Sequence, residues 1–168
     1  MSAVINLMDE YMATEAEIYP GVAFSGRGWY FGTDVAETAA PSITDSGTSV
    51  RVSITNVYNS GMGGYPNRSG VALSTTAVDL TGKTTVTITY ESRRGDNNSS
   101  QTGFWLHTSN TRLPSDSSLI KYVANASGTV TITKASGFNG SYYFGIGVKT
   151  AGNYSSTSAI TVTSVVAE

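Results

Sequence analysis

The chain carries a single histidine, His107, and no cysteine. A nucleophile–histidine–acid relay needs an imidazole held by an acid beside a nucleophile. A multi-histidine metal site needs several rings, and without thiols there are neither thiolate sites nor disulfides. His107 alternates with Leu106 in an apolar–polar run, so it reads as a surface or half-buried ring on a strand. Hydrolysis of a glycoside would need two carboxylates roughly 5–10 Å apart across a cleft. Beyond Asp45 the carboxylates are Asp79, Glu91, Asp96, Asp116 and the terminal Glu168. Asp79 opens the turn-like run Asp79-Leu80-Thr81-Gly82, and Asp96 and Asp116 stand in polar, loop-like stretches. Glu91 ends an alternating run, close to the compensating charge of Arg93 or Arg94. Gly61-Met62-Gly63-Gly64 lacks the Lys-Ser/Thr pair of a phosphate loop. No catalytic residue, metal site or cofactor is expected.

Three further patterns carry little chemistry. Arg94-Gly95-Asp96 is an RGD tripeptide in an expected hairpin loop, where Gly-Asp-Asn suits a turn on backbone grounds alone. Asp96, Asn97 and Asn98 would offer calcium a weak cage, with one carboxylate among them. Asn-X-Ser triplets at Asn67, Asn97, Asn98, Asn125, Asn139 and Asn153 are what a chain rich in Asn, Ser and Thr produces.

The most suggestive binding feature is the stretch from Tyr58 to Arg68. It combines two tyrosines, Tyr58 and Tyr65, with Asn67, Arg68 and several glycines, the mixture of rigid aromatics and adaptable polar groups found in binding loops. A sugar ring could stack on the tyrosines while Asn67 and Arg68 bond its hydroxyls. Trp105, Tyr142 or Tyr143 would extend that platform if their strand face is wet. The competing reading is that Tyr58 and Tyr65 fold over the end of the domain as a lid.

The formal charge is −2 and 13% of residues are charged, so neutral Ser, Thr, Asn and Gly must supply solubility. Such a surface cannot displace phosphate counterions, and nucleic acid is not an expected partner. No apolar run approaches the roughly 20 residues that cross a bilayer as a helix. Asp9 and Glu10 interrupt the first apolar stretch, which also lacks a basic lead, so a signal peptide is not expected. Acidic residues dominate the first 45 positions, where Arg27 is the only basic residue.

From Thr48 onward apolar and polar residues alternate. Val50, Val52 and Ile54 oppose Arg51, Ser53 and Thr55; Val86, Ile88 and Tyr90 oppose a row of threonines; Tyr142, Phe144, Ile146 and Val148 share one side. About eight such strands, separated by turn signals such as Asn139-Gly140, predict an all-β antiparallel sandwich or jelly roll with one wet and one buried face per sheet. Ahead of it, Val4, Leu7, Met8, Tyr11 and Met12 follow helical spacing, which predicts a short amphipathic helix from Ala3 to Glu17 ending before Pro20-Gly21. Trp29-Tyr30-Phe31 reads as a strand or anchoring arm. The expected organisation is therefore a helix and arm over 1–41 and the β-domain over 42–168. Val4, Leu7, Met8, Tyr11 and Trp29 are the candidate assembly contacts.

Two stretches carry a family resemblance: Asp79-Leu80-Thr81-Gly82 running into Lys83–Tyr90, and Gly137-Phe138-Asn139-Gly140-Ser141-Tyr142-Tyr143-Phe144-Gly145-Ile146-Gly147-Val148. Together they resemble jelly-roll modules of tailed-bacteriophage structural proteins (tail, fibre and head-decoration proteins), which look like carbohydrate-binding domains in fold. The similarity spans about residues 48–166. These motif residues read as structural, so the resemblance carries no binding residue over. It implies a non-enzymatic virion-surface protein that meets capsid or tail subunits and copies of itself, with host glycan as a candidate ligand and no membrane insertion. The alternative from another class is a freestanding carbohydrate-binding module or bacterial adhesin domain.

Overall fold

A computed structural model of the chain describes residues 15–32, 37–95, 100–152 and 154–168. Its strands, in chain order, are β1 (Ala16–Tyr19), β2 (Phe24–Arg27), β3 (Glu37–Thr38), β4 (Ser42–Asp45), β5 (Val50–Thr55), β6 (Arg68–Ser74), β7 (Val78–Asp79), β8 (Thr85–Arg93), β9 (Gln101–His107), β10 (Ile120–Val123), β11 (Ser127–Thr133), β12 (Ser141–Thr150) and β13 (Thr157–Ala167). One sheet runs β11-β8-β13-β5-β4, with β1 also on β13; the other runs β10-β9-β12-β6-β2, with β3 on β6 and β7 on β12. Apart from the parallel β3–β6 pair, every pairing is antiparallel. The two sheets pack face to face as a sandwich.

The alternation read from the sequence sets the core. Val50, Val52 and Ile54 point inward with Val86, Ile88, Phe104, Phe144, Ile146, Val148, Ile160 and Val162, all buried in one cluster. Phe104 and Phe144 stack at 5.9 Å, and Tyr90 meets Phe104 edge-on at 5.7 Å. Between Val162 and Ser164 the register of β13 on β8 slips, so the inward phase passes from Val162 to Val165. A bulge of this kind adds a residue to one strand and bends it locally.

The start of the chain departs from the expected helix. Ala16 and Glu17 lie in β1, opposite Ala167 and Val166, and no α-helix occurs among the described residues. Beyond Val162, where β5 stops pairing, the edge of β13 would be left open. Pairing that edge and burying Ile18 and Tyr19 outweighs the weak propensity of a short helix. Val4, Leu7, Met8, Tyr11 and Met12 lie outside the described residues. The stretch from 16 to 41 contributes β1, β2 and β3 to the two sheets, so the sandwich draws on residues ahead of Ser42 as well as after it.

Candidate functional site

The outer face of the β10-β9-β12-β6 sheet is covered by the chain itself. Gly103, Gly145 and Gly147 leave a floor without side chains on β9 and β12. The Trp105 ring lies on Gly145, and the Phe31 ring on Gly147 and Gly103. A Cβ at Gly145 or Gly147 would fall inside those rings. Phe31 and Trp105 stack at 5.7 Å and 29°, with Val71 and Leu73 beside them and Trp29, Leu113, Ile120 and Tyr143 around the margin. Two hydrogen bonds fix the arm: the Phe31 backbone N–H donates to Ser69 Oγ at 2.6 Å, and that hydroxyl donates to the Phe31 carbonyl at 3.1 Å. Trp105 is thus fully buried and offers no surface for a sugar to stack on. Trp29, the candidate anchor, packs half-buried on its own domain. Tyr142 is buried as well, and Tyr143 is half-buried.

Of the remaining candidates, Tyr58 and Tyr65 come together. Strands β5, β8, β10 and β12 all finish at one end of the sandwich, and their connections form a cluster of loops there. In the β5–β6 loop, Asn59 and Gly64 form a small bridge, closed by Asn59 N–H to Gly64 O at 2.7 Å. Asn59 Oδ1 accepts from the N–H groups of Gly61 and Met62, the local amide-to-backbone bonding that makes Asn a turn residue. This turn sets Tyr58 against Tyr65, edge to face, with centroids 5.3 Å apart. Tyr58 keeps 55% of its surface exposed, beside Val57 and the still more exposed Met62. Asn67 and Arg68 follow, half-buried, where the loop joins β6. Arg68 donates from Nη1 to the Thr55 carbonyl at 3.3 Å, while its Nε is buried without a partner.

The sequence reading missed the polar frame beneath these loops. Asn56 is 1% exposed, and its Oδ1 accepts from both Ser156 N–H (2.7 Å) and Ser156 Oγ (3.0 Å), tying the β5–β6 loop to the β12–β13 loop. Gly95 N–H donates to Ser158 Oγ, and Ala151 N–H donates to Ser100 Oγ, which ties in the β8–β9 connection. In a chain so rich in Ser and Asn nothing marks these positions out. The only signal was that Asn56 follows the inward-facing Ile54 by two residues, in phase with the buried face just past the end of β5.

The carboxylates are engaged in local structure. Asp79 Oδ1 accepts from the Thr81 hydroxyl (2.6 Å) and backbone N–H (2.9 Å), and Asp116 Oδ1 accepts from Ser118 in the same way. These bonds, the side-chain one foremost, hold both carboxyls below their ordinary pKa. Glu91 pairs with Arg93 at 3.0 Å on the surface, as the sequence suggested. No group of three His, Cys, Asp or Glu that could hold a metal occurs among the described residues. Arg94 and Gly95 are fixed by Ser100 and Ser158; Asp96, Asn97 and Asn98 lie outside the described residues. No protein-family model and no curated protein matches the chain.

Proposed function

We propose that the chain is a non-enzymatic jelly-roll module of a bacteriophage virion. It would be a capsid-decoration, fibre or tail-associated protein that attaches through its N-terminal segment and makes contact through the loop end carrying Tyr58. The strand order supports the jelly-roll part. The sheets β11-β8-β13-β5 and β10-β9-β12-β6 interleave, because β5, β8, β10 and β12 each cross to the other sheet at the same end, as in a double Greek key.

The observation that carries the contact role is where apolar surface is left wet. Val57, Tyr58, Met62 and Tyr154 are four of the five large hydrophobic side chains exposed among the described residues, and all sit on the connections at that end. Exposed apolar groups gathered in one place mark an interaction surface, whereas scattered ones do not. Asn67 and Arg68 add hydrogen-bonding capacity, which suits glycan or protein surfaces. Multiple copies on one particle would convert a weak contact into useful avidity.

Light scattering on the full chain tests the reading. A virion subunit forms a defined multimer at micromolar concentration, and Leu7→Asp with Met8→Asp dissociates it. A monomer whose mass does not change with concentration or with those substitutions would rule out self-assembly through the N-terminal stripe. If that monomer bound glycans through Tyr58 and Arg68, the freestanding carbohydrate-binding module would take its place.

A further inference from the structure

At the end of the sandwich opposite Tyr58, where β9 and β11 finish and β12 begins, the β9–β10 connection folds over a groove of about 200 Å³. Pro114 and Leu119, both buried, form its apolar wall; His107, Asp116, Lys134 and Tyr142 bring polar atoms to it. We propose that this groove is a binding site for a single neutral pyranose ring, the terminal or branch residue of a glycan. It is separate from the contact end described above and does not depend on the virion setting.

The fold leaves the groove a defined set of donors and acceptors for a ligand. Ser109 N–H donates to His107 Nδ1 at 2.7 Å. The Ser109 carbonyl stands 3.1 Å from the same nitrogen, so Ser109 engages Nδ1 and leaves Nε2 to a ligand. Asp116 spends Oδ1 on Ser118, and no hydrogen bond among the described residues uses Oδ2, which remains an acceptor. Lys134 Nζ donates to Tyr142 Oη at 3.2 Å and stands 5.7 Å from the centre of that ring. One of its three protons is thereby used. The Tyr142 hydroxyl accepts that bond and can donate its own proton onward. The groove thus presents donors and acceptors side by side next to an apolar wall.

A pyranose matches this pattern because each hydroxyl is both donor and acceptor while its C–H face is apolar. The charges choose against other ligands. An anion would meet the Asp116 carboxylate, which hydrogen bonds keep ionised well into acid; a cation would meet Lys134. The two opposite charges leave the groove with no net formal charge, which suits a neutral ligand with polar hydroxyls. The volume is below the roughly 300–1,000 Å³ of drug-sized pockets, which limits the occupant to one ring. The larger dent of about 300 Å³ between Gly28–Tyr30 and Thr111–Leu113 offers Arg112 as its one charged group, and it lacks this balance.

The test is an amide chemical-shift titration of the full chain with the methyl glycosides of glucose, galactose, mannose and N-acetylglucosamine at millimolar concentration. At least one should give saturable shifts on residues 107–119 and 134–142. Lys134→Met and Asp116→Asn should each weaken that binding about tenfold, the loss expected of one charge-assisted hydrogen bond. Asp116→Asn keeps an oxygen for Ser118, and His107→Ala removes only a half-buried ring, so these two report on the groove even if Lys134→Met fails to fold. The proposal is overturned if no glycoside shifts these amides, if binding is unchanged in the folded variants, or if the shifts fall on residues 56–68 instead.

Discussion

Replacing Phe31 by alanine isolates the contact that closes the outer face of the β10-β9-β12-β6 sheet. The ring is fully buried, lies on Gly103 and Gly147, and stacks on Trp105 at 5.7 Å. A phenylalanine of this kind takes on the order of 150–250 Å² out of water. At about 25 cal/mol per Å² that is roughly 4–6 kcal/mol as an upper bound. Phe→Ala substitutions in cores cost about 3–5 kcal/mol, so about 4 kcal/mol is expected here. Urea unfolding followed by tryptophan emission reads both consequences at once: a lower midpoint at unchanged slope, and a red-shifted native spectrum as Trp105 becomes wet. Gly147→Ala supplies the companion, since its methyl group would enter the space of the Phe31 ring. Alone it should cost about 2 kcal/mol, as overpacking does. In the Phe31→Ala background it should cost close to nothing, because the obstructing ring is gone. The reasoning fails if Phe31→Ala costs less than about 1 kcal/mol with unchanged emission, or if the two substitutions add without coupling.

Other substitutions test the frame around the sites. Asn56→Ala strands Ser156 N–H and Oγ, two buried donors, and should cost about 2 kcal/mol or more in urea unfolding; a neutral outcome would mean that water replaces the amide. Tyr19, buried and donating to Asp45 Oδ1 at 2.8 Å, has its hydroxyl pKa pushed up to about 12, by burial first and then by that bond. The folded state then holds this proton more tightly than the unfolded chain does, so the contribution is complete below about pH 10 and is lost as pH rises towards 12. Tyr19→Phe should flatten the alkaline fall in thermal midpoint across that window. Asp79 has a lowered pKa owing to Thr81, so its contribution is present above the ordinary carboxylate pKa and disappears as pH falls through the depressed value. Asp79→Asn should therefore unfold less steeply in acid, as followed by circular dichroism.

How much of this was legible in the sequence depends on which face of a sheet is considered. The inner faces were written in period-two alternation: Val50, Val52 and Ile54, or Phe144, Ile146 and Val148, are buried as their spacing required. The helix expected up to Glu17 failed at its end because a local propensity competed with an unpaired strand edge, a feature no window of sequence contains. The nearness of Tyr58, Tyr65, Asn67 and Arg68 was legible because three of them lie in the β5–β6 connection and Arg68 opens β6 directly after it. The groove at His107, Asp116, Lys134 and Tyr142 was not, because strand pairing across the fold assembles it from residues scattered along the chain.

The outer face of the β10-β9-β12-β6 sheet is the instructive failure, since the signal for it was present. Along β12, Gly145 and Gly147 occupy the positions opposite Phe144, Ile146 and Val148, where a wet face would carry threonines as it does on β8. Glycine on a strand removes the side chain and weakens the sheet, so paired glycines on one face indicate that something else lies against it. β6 says the same in another form: Val71, Ala72 and Leu73 run without alternation, the pattern of a strand covered on both sides. With that face closed by Phe31 and Trp105, neither of those rings is open to a ligand, and the exposed aromatic surface left beside them is that of Tyr122, packed against Phe31 at 5.2 Å. The connections at the two ends leave Tyr58 and Met62 exposed at one and the His107–Lys134 groove open at the other, and both proposed contacts are drawn from these ends.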